Sequence, residues 1–269
     1  MIASTQFAQR SFSRFLLGGN PFSGISHQSS EQDRAMRSYF TTARIKALLH
    51  EAETLGVTGL CARADNHIVR LLLEYWDEGG KIRWIAQTCP EFSSIGTSVA
   101  NAIAGGASAI YIHGGQMEYA LANGGEDDVR RAVEQIKHAG LPAGVAGHVP
   151  HVHQWANEHL DIDFHMCSYY HPTLREKAAG HVGGVEERFD DSDRDAMVAT
   201  IAQLRRPVIH YKIFAAGRNT PEEAITFAAQ HLRPQDAVCV GIYPKDHPQM
   251  LAEDVDLFQS YILNETCPG

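Results

Sequence analysis

The chain is predicted to fold as one (β/α)₈ barrel, a single α/β domain over residues 1–269, and three observations predict it. Strand-like apolar runs alternate with helical segments from end to end, the pattern of parallel βαβ units with right-handed crossovers. The length of 269 residues suits one barrel, for which roughly 250 is typical. The apolar runs also turn polar near their C-terminal ends, where barrels carry their active sites. An open doubly wound sheet would alternate too, but eight even units favour closure.

The first strand is FLLGG (15–19), followed by a long polar connection (20–40) whose length suggests function, as a lid over the mouth. The first helix, TTARIKALLHEAETLG, places Ile45, Leu48, Leu49, Ala52 and Leu55 at helical spacing, with Thr42 as its cap and Gly56 as its end. Strand two is VTGLCARAD with helix HIVRLLLEYWDEGG. Strand three is IRWIAQT with helix SSIGTSVANAIAGG. Strand four is SAIYIH with helix EDDVRRAVEQIKHAG. Strand five is PAGVAGH with helix HVHQWANEHL. Strand six, DIDFHMCSYY, leads into a second long excursion (171–192) and helix DRDAMVATIAQL. Strand seven is PVIHYKIF with helix TPEEAITFAAQHL, and strand eight is DAVCVGIY with helix PQMLAEDVDLFQSYI. No internal domain boundary, low-complexity tract or short repeat interrupts the series.

Composition limits the function. A formal net charge of −9, without a basic stripe, disfavours nucleic acid as a partner. No apolar run approaches the ~18 residues of a membrane span. The N-terminus MIASTQFAQRSF lacks the apolar core of a signal peptide. Five scattered cysteines without a C-x-x-C pair suggest reduced thiols. A cytoplasmic enzyme with a small-molecule substrate is expected, its oligomeric state left open.

Strand side chains alternate faces with a period of two, so the strand ends nominate site residues. Arg63 and Asp65 share a face on strand two, as an oriented carboxylate or as a structural ion pair. His113 ends strand four, and Gly114 and Gly115 leave room beside it for a ligand. His148 ends strand five, while His151 and His153 are expected to open the next helix and face solvent. Strand six offers His165, Cys167 and Tyr169 on one face. Strand seven offers His210 and Lys212, the lysine as a base, a Schiff-base former or a counter-ion. His113, His148, His165 and His210 together form a candidate divalent-metal set, although Asp65 alone supplies a well-placed carboxylate. Asn20, Gln87, Arg218 and Lys245 are candidate substrate-binding groups. Gly217 and Arg218 before a helix start suit an anion, against which Glu222 and Glu223 already occupy that helix end.

The segments LLGGNPFSG, YIHGG, LPAGVAGH, KIFAAGR and VCVGIYPKDHPQMLAEDV, in this order, resemble the aldo/keto reductases, and in particular a reductase-like barrel group that lacks the full catalytic tetrad. The resemblance implies a (β/α)₈ barrel, NADPH, and an Asp, Tyr, Lys and His set. Asp65 is similar to the strand-two Asp and His113 to the strand-four His. The stretch NHIVRL after Asp65 contains no tyrosine, Gln87 or Thr88 stands where the strand-three lysine belongs, and Met250 and Asp254 stand where the last helix should hold a phosphate.

The expected function is acid/base chemistry of isomerase, lyase or aldolase type on a small polar carbonyl or sugar-like substrate, with or without a divalent metal. His113 and His148 are the acid/base candidates, Asp65 a base or orienter, Arg63 and Lys212 the anion stabilisers, and Tyr169 a donor or substrate ligand. The second expectation is an NADPH-dependent reductase with a rearranged proton relay, Tyr169 beside Lys212. The third is a barrel that binds a small ligand without catalysis.

Overall fold

The computed structural model describes residues 2–171, 173, 177–180 and 187–265. Eight parallel strands close into a ring: β3 (Phe15–Gly18), β4 (Gly59–Arg63), β5 (Arg83–Gln87), β6 (Ala109–Ile112), β7 (Ala143–Gly147), β8 (Phe164–Ser168), β9 (Val208–Tyr211) and β10 (Ala237–Gly241), which pairs back onto β3. Around them pack α2 (Thr42–Thr54), α3 (Asn66–Asp77), α4 (Ile95–Ala104), α6 (Glu126–His138), α7 (Pro150–His159), α8 (Asp191–Ile201), α9 (Pro221–His231) and α10 (Met250–Glu265). Thr41, one residue before the expected cap, caps α2, because its hydroxyl accepts the Arg44 N–H at 3.3 Å.

Several short elements lie outside the regular alternation. A hairpin, β1 (Ser4–Phe7) and β2 (Arg10–Ser13), precedes the barrel. Helix α1 (Ser30–Tyr39) and a 3-10 turn (Pro21–Ser23) occupy the connection after β3, which is therefore not a bare loop. Helix α5 (Gly114–Asn123) starts directly after β6, in a stretch to which the sequence alone assigned no element. Part of the excursion after β8 lies outside the described residues.

The hairpin closes the N-terminal end of the ring. Phe7 and Phe12 are buried in the lumen with Leu16, Ile85, Phe164 and Ile209. The Phe7 ring stacks on Phe164, the first residue of β8, with centroids 4.8 Å apart, and on Phe12 at 5.4 Å.

Each strand sends one side chain into the middle of the lumen: Leu16, Cys61, Ile85, Tyr111, Ala146, Met166, Ile209 and Cys239. With period-two alternation these residues fix the facing of every strand. On β4 to β7 the residue two further along is Arg63, Gln87, His113 or His148, and all four open at the C-terminal mouth. On β8 and β9 the same rule sends His165, Cys167, Tyr169 and His210 outward, into the layer between strands and helices. Those four are fully or almost fully buried.

Replacing the plug residue, Phe7→Ala, is expected to lower the unfolding free energy by about 3–5 kcal/mol. Urea unfolding measures this, and an unchanged midpoint would show that the hairpin does not stabilise the barrel.

Candidate active site at the C-terminal mouth of the barrel

A cavity of about 430 Å³ opens at the C-terminal ends of the strands. Asn20, Arg63, Gln87, His113, His148 and Lys212 line it, as do His27, Tyr111 and Tyr211, which sequence reading did not nominate.

Its most ordered feature is a chain of three side chains. Glu118 of α5 is buried and accepts both the backbone N–H of His148, at 2.7 Å, and its Nδ1–H, at 2.8 Å. With the Nδ1–H committed to the carboxylate, Nε2 is the ring nitrogen left facing the cavity, and the Tyr211 hydroxyl lies 3.2 Å from it. Burial alone would raise the Glu118 carboxyl, but His148, with help from His171, brings it down to about 2. The glycines after His113 serve packing. A Cβ on Gly114 would sit 3.1 Å from the His148 ring, and one on Gly115 would run into the Ala179 carbonyl. Gly114 nevertheless lines the cavity beside His113, and only the space over Gly115 is filled by protein.

A second chain faces the same cavity. His27 Nδ1 lies 2.9 Å from a Glu187 carboxylate oxygen, and its Nε2 lies 3.1 Å from Lys212 Nζ. The Asn20 amide is 3.4 Å from the same Nε2. Both partners hold unusual backbone: φ is 57° at His27 and 58° at Lys212, the left-handed region that side chains other than glycine seldom adopt. Ala215 and Ala216, just beyond Lys212, are left-handed as well. Such clustered strain is characteristic of ligand sites. It also breaks the strand alternation, so Tyr211 and Lys212, adjacent in sequence, line the same cavity.

Asp65, Arg218 and Lys245 lie outside the cavity lining, and Arg63 and Gln87 are held by neighbours. Asp65 does not line the cavity. It caps α3 by accepting the Ile68 N–H at 3.0 Å, and it pairs with Arg63 at 3.1 Å. The Arg63 guanidinium also holds Glu91 at 2.7 Å. Gln87 accepts the Tyr111 hydroxyl at 3.0 Å. Arg218 is exposed and stacks over Phe189 at 4.2 Å, and the start of α9 is closed by the Thr220–Glu223 capping box. Lys245 is exposed and is not among the cavity-lining residues.

The four candidate metal histidines do not converge. His113 and His148 line the cavity, whereas His165 and His210 are buried behind the strands. His165 Nδ1 meets His153 Nδ1 at 3.2 Å, and His153 Nε2 points to the Gly147 carbonyl at 3.3 Å. His153 therefore does not face solvent as expected. Burial lowers both imidazoles, His153 to about 4, so the pair is neutral. His210 lies 3.0 Å from the Tyr169 hydroxyl and 3.4 Å from Asp236, which also holds Arg233 at 2.8 Å. Tyr169 is thereby committed to the wall, not the cavity. Among the described residues no group of three His, Cys, Asp or Glu side chains has the arrangement of a metal site.

No protein-family model matches the chain, and no curated protein sequence matches it. Solved structures do. An aldo-keto reductase from Bacillus halodurans in its holo form superposes with a TM-score of 0.63 at 10% identity, covering 98% of this chain and 96% of that one. An N-acetylmannosamine-6-phosphate 2-epimerase from Clostridium perfringens gives 0.54 at 14% identity over 79% and 86%. A truncated 3-deoxy-D-arabino-heptulosonate 7-phosphate synthase from Thermotoga maritima gives 0.54 at 11% identity over 98% and 91%. The chain has their fold. At these identities the likeness establishes the closed (β/α)₈ barrel, which a reductase, an epimerase and a synthase share, and function must be argued from the site.

Two pH effects follow. His153 takes up its proton at about 4 when folded, below the usual 6.5, so the unfolded chain binds more protons between these values. Stability is expected to fall as pH drops from about 6.5 to 4. Glu118, held at about 2 against 4.5, adds a further loss as pH falls from 4.5 towards 2. Urea unfolding against pH reads both. In Glu118→Gln the loss below pH 4.5 should shrink, and an unchanged acid limb would contradict the Glu118–His148 contact as its source.

Proposed function

We propose that the protein is a barrel enzyme that moves protons on a small polar carbonyl or sugar-like substrate. The observation that carries this reading is the Glu118–His148–Tyr211 chain opening on the cavity, with Lys212 next along the backbone.

The arrangement suits reversible proton transfer. The Tyr211 oxygen takes a proton from the substrate carbon beside the carbonyl as its own proton passes to His148 Nε2. The electron pair left by the C–H bond moves onto the carbonyl oxygen as an enolate. The resulting imidazolium is stabilised by ionised Glu118, and the Lys212 ammonium and the Arg63 guanidinium supply positive charge to the enolate. Returning the proton to the other face or to the neighbouring carbon gives an epimer or an isomer. His113 and Gln87, at adjacent strand ends, are placed to hold substrate hydroxyls.

A second reading is favoured by one observation: Tyr211 beside Lys212 offers a proton donor to a carbonyl, as a reductase needs. It replaces the Tyr169 relay, since Tyr169 lies in the wall. The reductase resemblance implies NADPH with its adenosine phosphate against the last helix. There the buried group is the Asp254 carboxyl, beside Glu253. Neither supplies a cation, so the phosphate does not fit this end of the cavity.

The test is deuterium exchange. Wild-type protein is incubated in D₂O with a panel of aldoses and ketoses, and loss of the α-proton is followed by NMR. His148→Gln and Tyr211→Phe are each expected to slow exchange about 10²-fold or more. Exchange at the wild-type rate in both variants would sink the proton-transfer reading. NADPH fluorescence titration is the companion measurement, and saturable micromolar binding would favour the reductase.

A further inference from the structure

The cavity has a second end that the proton relay does not use. It lies past β10, between α1 and the first turns of α10, and its lining includes Pro21, Met36, Tyr243, Met250 and Asp254. Tyr243 is wedged against α1, its ring 5.4 Å from Tyr39 and 5.9 Å from Phe40. Asp254 sits one helical turn after Met250 and is only 3% exposed. The Asp254 Oδ2 and the Tyr243 hydroxyl are both buried, on two residues that line the cavity, and have no hydrogen-bond partner among the described residues.

A buried polar atom without a partner costs stability, and native proteins keep few of them. Two in one corner of a cavity that also carries an acid/base relay suggest polar atoms kept for a ligand. We infer that this corner is a second subsite, in which Asp254 and Tyr243 bind uncharged hydroxyl groups of a polyol or sugar whose carbonyl end lies at Tyr211. The inference rests on the proton-transfer reading for the far end of the ligand, and it names the substrate class.

The chemistry selects hydroxyls over ions. Burial, together with neighbouring Glu253, pushes the Asp254 carboxyl up to about 7 against the pull of His247. His247 is itself paired with Glu253 at 2.7 Å. A carboxyl poised between its two forms, beside a phenol, can both donate and accept, which is what a hydroxyl group requires. A phosphate would meet no cation here, because the cavity's cationic side chains, Arg63 and Lys212, belong to other strand ends.

The methionines allow a direct test. Met36 and Met250 line this corner, whereas Met166 lines the lumen beneath the relay. In protein labelled with ¹³C at the methionine methyls, D-ribose is expected to shift the Met36 and Met250 signals saturably. Asp254→Leu and Tyr243→Phe should each weaken that response at least tenfold, and Asp254→Asn, which keeps a donor and an acceptor, should restore most of it. Because Asp254→Leu removes an unsatisfied buried carboxyl, its Tm should also rise by about 2–4 °C. No ribose response at these methyls, an equal response in Asp254→Leu, or a lowered Tm in both Asp254 variants would overturn the inference. So would a response at the same methyls to inorganic phosphate, or to ethanolamine alone, which would mark an anion or an ammonium site. Methyl shifts require no turnover and deuterium exchange does not involve these methyls, so failure of the subsite and failure of the relay are read separately.

Discussion

A closed ring of parallel strands leaves every strand side chain two destinations, the lumen or the layer under the helices. Once Leu16, Cys61, Ile85, Tyr111, Ala146, Met166, Ile209 and Cys239 fill the lumen, alternation assigns all other strand positions. That single constraint separates two sets of polar residues that look alike in sequence. One set, Arg63, Gln87, His113 and His148, lies two residues beyond a lumen residue and opens at the mouth. The other, His165, Tyr169 and His210, has the opposite parity and is sealed in the wall. The wall residues satisfy one another: Tyr169 with His210, His210 with Asp236, and His165 with His153. Burial keeps these imidazoles neutral, as a low-dielectric layer without full charge compensation requires.

At the mouth the electrostatics run the other way. Glu118 and His148 are both nearly buried, yet their contact is short and double, and the carboxylate is held ionised by its neighbour. The pairing orients the imidazole and turns its Nδ1–H to the carboxylate. His27 and Glu187 repeat the motif opposite, handing their orientation to Lys212. The left-handed backbone at His27 and Lys212 is what brings these side chains into contact. The barrel thus supplies a rigid floor, while the strained segments after β3 and β9 supply groups that regular strands could not aim inward.

The alternation of strands and helices, the eightfold count and the polar strand ends were legible in the chain. So were most mouth residues on β4 to β7, where each polar residue follows an apolar lumen residue at period two. The misreadings have distinct physical sources. PVIHYKIF carries polar side chains on both parities, so nothing local says whether His210 or Tyr211 points inward. The Lys212 side chain reaches the cavity only because its backbone leaves the strand conformation. Glu118 was missed because the helix that carries it, GGQMEYALAN, begins with two glycines and the sequence alone assigned it no element. His27 lies in a polar connection with no periodicity to mark it. The plug hairpin was missed because four-residue strands give too short an alternation to stand out.

Sequence by itself therefore determined the (β/α)₈ architecture and the end of the barrel where chemistry is possible, because both follow from local periodicity repeated over the whole chain. Only the tertiary structure decided which histidines meet a carboxylate in the cavity and which are buried in the wall. That choice depends on the register of ring closure, on two left-handed residues and on contacts between segments as distant as His27 and Glu187. Long-range packing sets each of them, and local sequence cannot encode it.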